Sequence, residues 1–119
     1  MTMTWITNPA TKIRFQKHPE TLERMRKKTV QTTADGYIFV RKASMKREPV
    51  TSRLSEIKVP TLIVYGGDDA PFVNASRVLK DGIPNSELVM IPGVGHGPMY
   101  EAPDKYNEAL SRFLKKIGW

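Results

Sequence analysis

The stretch PTLIVYGGDD, residues 60–69, decides the fold. Behind Pro60 run five residues, Thr61-Leu-Ile-Val-Tyr65, that are apolar or β-favouring without alternation, and Gly66-Gly67 closes them. A half-exposed strand would alternate polar and apolar residues. A continuous run bounded by glycine suits a strand covered on both faces, as in a parallel sheet. Two aspartates, Asp68 and Asp69, follow at once.

Downstream the same grammar repeats. A helix is predicted after Pro71, with Phe72, Ala75, Val78 and Leu79 at helical spacing and Gly82 as its stop. Leu88-Val-Met-Ile91 reads as a second buried strand, and Gly93-Val-Gly-His-Gly97 as a turn. A last helix opens at Pro103-Asp104, carries Tyr106, Ala109, Leu110, Phe113, Leu114 and Ile117 on one stripe, and ends at Gly118. The order β-α-β-α with short connections implies parallel strands. The fold class is therefore α/β.

Upstream the composition changes. Residues 1–59 hold 13 Lys/Arg against 5 Asp/Glu, a net of +8, and residues 60–119 hold 6 against 7, a net of −1. Two helices are predicted in this basic half. One starts at Pro19 and runs over residues 20–28, with thin apolar content (Leu22, Met25). The other starts near Thr32 or Thr33, passes Tyr37 and Met45, and stops before Pro49. Residues 1–18 show no clean period and are expected to form an irregular lead-in. The resulting division is residues 1–53, basic and helical, and residues 54–119, the α/β segment.

Composition narrows the chemistry. With no cysteine in 119 residues there are no disulfides, thiolate metal sites or cysteine nucleophile. There are two histidines, neither with a ligand-spaced neighbour, so no metal is expected, and no motif calls for a cofactor. His18, beside Pro19 in a polar segment, reads as a surface residue. No apolar run is long enough for a membrane span, and the start does not resemble a signal peptide, so a cytoplasmic protein with no membrane contact is expected. The basic half lacks the aromatic interleaving of nucleic-acid binders, and nucleic acid is not the expected partner.

Ligands of open parallel sheets gather beyond the carboxyl ends of the strands. Asp68 and Asp69 leave the first strand there, and His96 leaves the second. An aspartate from one loop can reach the imidazole of the other and fix its tautomer. Each residue also has a plain reading: either aspartate can cap the helix that follows, and a histidine between glycines can be an ordinary loop residue.

The segments LSEIKVPTLIVYGGDD (54–69) and IPNSELVMIPGVGH (83–96), with EAPD (101–104) and the Phe113-Leu114 helix, resemble the C-terminal part of the α/β-hydrolase superfamily. TADGY (33–37) is similar to the last lid helix of members acting on small esters, lactones and carbon–carbon bonds. The resemblance implies lid-type helices ahead of the acid strand, histidine loop and last helix. It carries the catalytic acid to Asp69, three residues after Gly66, with Asp68 the adjacent alternative, and the catalytic base to His96. The family's nucleophile sits in a G-x-S-x-G elbow. The serines here, at 44, 52, 55, 76, 86 and 111, lie in no such elbow. The expectation is an acid and base without a nucleophile half, inactive alone on an ester-like small molecule. The alternative is a non-catalytic module whose basic half binds an acidic partner. Two buried-type strands also make a small sheet with an open edge, so self-association or a complementing chain is expected.

Overall fold

A computed structural model describes residues 9–119. The described chain divides into two compact units at Pro49/Val50.

The first unit is helical. α1 (Pro9–Lys17) and α2 (Pro19–Gln31) are consecutive helices in contact with each other. Pro19 sits in the first turn of α2, where its missing N–H costs nothing. α3 (Ala34–Met45) is capped by Thr33, whose hydroxyl accepts from the Gly36 amide at 3.1 Å. The helix α1 corrects the expected irregular lead-in over its own span, while residues 1–8 lie outside the described residues. Pro9 is the reason. It opens α1 as Pro19 opens α2, and Arg14 and Lys17 sit at the C-terminal end, where the helix dipole favours cations.

The second unit begins with a 3-10 turn, Thr51–Glu56, whose Leu54 is buried. Then come β1 (Thr61–Gly66), α4 (Ala70–Gly82), β2 (Ser86–Ile91), α5 (Pro98–Glu101) and α6 (Pro103–Lys116). β1 and β2 pair in parallel, Thr61 opposite Ser86 through Gly66 opposite Ile91. α4 is the crossover, and both α4 and α6 lie against the two strands. Leu54, Ile63, Ile83, Ile91, Val94, Ala109 and Phe113 form the buried core. Because side chains alternate along a strand, Leu62 and Val64 line the α6 side while Ile63 points to the other. Lys116 of α6 pairs with Glu87 of β2. Leu54 packs so closely on the end of α4 that a Cβ on Gly82 would lie 2.7 Å from its Cδ1. Gly118, at φ +83°, ends the chain's last helical turn in the left-handed region that glycine tolerates. Among the described residues no helix is long and apolar enough to cross a membrane.

Candidate active site

The site forms where the carboxyl ends of β1 and β2 meet. Gly67 N–H donates to the Ile91 carbonyl (2.8 Å) and Asp68 N–H to the Val94 carbonyl (2.9 Å), which ties the two exit loops together. Gly66 permits the approach. A Cβ there would stand 2.1 Å from Gly95 O and 2.2 Å from Val94 O, so no larger residue fits. Gly93, at φ +73°, turns the chain out of β2.

Asp69 stands at the N-cap position of α4, yet its side chain makes no capping bond. Its Oδ2 instead lies 2.8 Å from His96 Nδ1, across 27 residues of sequence. Of the two roles open to this aspartate, the contact to His96 is the one observed. An ionised carboxylate can only accept, so the bond places the proton on Nδ1 and leaves the Nε2 lone pair free. The Asp69 side chain is 13% exposed and that of His96 61%. Phe72, in the first turn of α4, sets its ring 4.6 Å from the imidazole at a 45° tilt. Asp68 is exposed, and its backbone, not its carboxylate, joins the loops.

His96 also lines a groove of about 460 Å³ with Leu62 and Val64 of β1, Pro98 and Met99 of α5, and Tyr106, Leu110, Phe113 and Leu114 of α6. A mostly apolar groove lined in part by an oriented imidazole can hold a small apolar group beside a proton acceptor. Among the described residues no group of three or more His, Asp or Glu side chains is arranged to hold a metal ion.

Two contributors were not legible as such. Phe72 was read only as the apolar face of a helix. Glu101 was read only as part of the EAPD segment, yet its carboxylate accepts from the amides of Gly95 (2.8 Å) and Gly97 (3.1 Å), the residues that bracket His96. Gly95 and Gly97 lie within the turn that the sequence places at residues 93–97. The chain does bend at His96; neither glycine has a positive φ, both are buried, and their backbone amides donate to Glu101. The available signal was Gly97-Pro98 opening a helical turn with an acid at its far end, one position beyond the capping-box spacing.

Comparison with known proteins agrees with this architecture. The model of the Ndr family matches residues 12–119. The AB hydrolase superfamily protein YisY of Bacillus subtilis is 42% identical over 72 residues, which are 59% of this chain and 26% of that protein. A proline iminopeptidase of Saccharolobus solfataricus is 29% identical over 110 residues, 88% of this chain and 36% of that one. Among solved structures, Est816, described as an N-acyl homoserine lactone degrading enzyme, superposes with a TM-score of 0.69 at 32% identity, covering 84% of this chain and 41% of its own. The chain thus spans between a quarter and about a third of these curated relatives' length.

Proposed function

The chain belongs to the Ndr family and carries the C-terminal part of an α/β-hydrolase fold, and from that premise we propose that it supplies the acid and base of a hydrolase site for small ester-like or lactone substrates. The observation that carries the reading is the 2.8 Å bond from His96 Nδ1 to Asp69 Oδ2. Asp69 holds the imidazole in the Nδ1–H tautomer. Nε2 of His96 then takes the proton of a nucleophile, returns it to the leaving group, and activates water to release the acyl group. The apolar groove beside His96 and the similarity to a lactone-degrading enzyme support that substrate class.

In this reading residues 1–53 are lid-type helices and residues 54–119 the site-bearing segment of a cytoplasmic protein. The nucleophile comes from polypeptide outside these 119 residues, because no serine here lies in a G-x-S-x-G elbow. β1 pairs only with β2 among the described residues, so its other edge is available to a complementing chain or a second copy. A folded monomer by sedimentation, unchanged across concentration, would count against that pairing.

The purified chain alone is expected to give no more than background cleavage of an activated ester or acyl lactone. Co-expression with the elbow-bearing portion of a related hydrolase is expected to restore turnover that His96→Ala abolishes. Strong turnover by the chain alone, lost in His96→Ala, would refute the external nucleophile. Turnover unaffected by His96→Ala would refute the site.

One observation favours a second reading. The +8 of residues 1–59 is concentrated ahead of a segment of net charge −1, which suits docking of an acidic partner without catalysis. Capture of an acidic polypeptide that collapses at moderate salt supports it; salt-insensitive behaviour argues against it.

A further inference from the structure

We propose that Glu101 is the positioning residue for His96: its carboxylate sets the main-chain conformation that brings the imidazole to Asp69. This rests on the acid–base reading above. Three peptide units determine where the His96 side chain points. The amide of Gly95 and the amide of Gly97 both donate to Glu101, one to each carboxylate oxygen, at 2.8 and 3.1 Å. The unit between them presents Gly95 O to Gly66, in the space a Cβ would occupy. The backbone on both sides of His96 is thereby held by one side chain and one close approach.

The tie is short and closed. Tyr100 and Glu101 N–H both donate to the Gly97 carbonyl (2.8 and 2.9 Å), so α5 folds Glu101 back over the loop it holds. Gly95 and Gly97 are buried and Glu101 is half-buried. Two buried amides need an acceptor, and a carboxylate offers two oxygens in a fixed fork. Two acids therefore act on one histidine, Asp69 at the ring nitrogen and Glu101 through the main chain.

The substitutions follow from the fork. Glu101→Gln keeps one acceptor and turns an NH2 group toward the other amide, whereas Glu101→Ala removes both acceptors. The measurement is the imidazole nitrogen spectrum of the uniformly nitrogen-15-labelled full chain. With two histidines, His96 is read beside His18, an internal control from the other unit.

In the native chain His96 should show one tautomer, protonated at Nδ1. In Glu101→Ala that pattern should be lost to a mixture of tautomers, with a partial loss in Glu101→Gln, while His18 and the amide signals of Ile63 and Ala109 stay in place. An unchanged His96 pattern in Glu101→Ala overturns the proposal. So does loss of the Ile63 and Ala109 signals in both variants, because Glu101 would then hold the fold rather than the histidine. A tautomer mixture already present in the native chain would instead remove the Asp69–His96 pair, and with it both readings. That failure is visible before any substitution is made.

Discussion

Adding one methyl group at Gly66 tests how the site is assembled. In Gly66→Ala the new Cβ would lie 2.1 Å from Gly95 O, 2.2 Å from Val94 O and 2.7 Å from Val94 C, all backbone atoms of the histidine loop. Moving from 2.1 Å to the 3.4 Å of ordinary contact requires the loop and the strand end to part by about 1.3 Å. No side chain can rotate away to relieve it. Overpacking of this kind costs about 1–3 kcal/mol, and a clash with backbone alone belongs at the upper end. At about 4–8 °C per kcal/mol for a domain of this size, Gly66→Ala should melt roughly 10–20 °C below the native chain. The same separation breaks the site. The Asp69–His96 bond is 2.8 Å long, and a displacement of that size takes it beyond the roughly 3.5 Å at which such a bond ceases to count. Thermal unfolding followed by circular dichroism gives the first quantity, and the His96 imidazole spectrum gives the second. A variant that melts within about 2 °C of the native chain and keeps the Nδ1–H tautomer would refute the claim that this close approach joins the two loops.

Two further outcomes follow from the packing. Phe113→Ala empties a buried position that meets both the core and the groove, at a cost of about 3–5 kcal/mol. That is comparable with the whole stability of a small domain, so urea titration should find this variant mostly unfolded without denaturant; a loss below about 1 kcal/mol would contradict the core assignment. Lys116→Ala removes the surface ion pair to Glu87 and should change stability by less than about 1 kcal/mol, since exposed pairs are screened and entropically costly. A loss above about 2 kcal/mol in the same titration would show that this pair anchors α6 on β2.

The strands and helices of the second unit were legible because each has a one-dimensional signature. The Leu62-to-Tyr65 run ends in Gly66, the Leu88-to-Ile91 run precedes a glycine turn, and the stripe from Tyr106 to Ile117 has the helical period. Proline at a first helical turn is such a signature too, and Pro9 opens α1 as Pro19 opens α2. The short helix α5 was missed because four residues carry too little period to register.

The sequence by itself determined the parallel strand order, the hydrolase resemblance, and the pairing of an acid after one strand with a histidine after the next. These depend on local pattern and on the rule that parallel strands point their carboxyl ends the same way. Only the tertiary structure decided between roles that the pattern left equal. Asp69 occupies a cap position without capping, because His96 offers its carboxylate a partner 27 residues away. Asp68, one residue earlier, gives its backbone to the loop instead. The acid at 101 likewise acquired its purpose from proximity in space, as acceptor for the Gly95 and Gly97 amides. A carboxylate's choice among helix amides, solvent and a ring nitrogen is a competition between contacts, and which contacts are within reach is settled when the chain closes on itself.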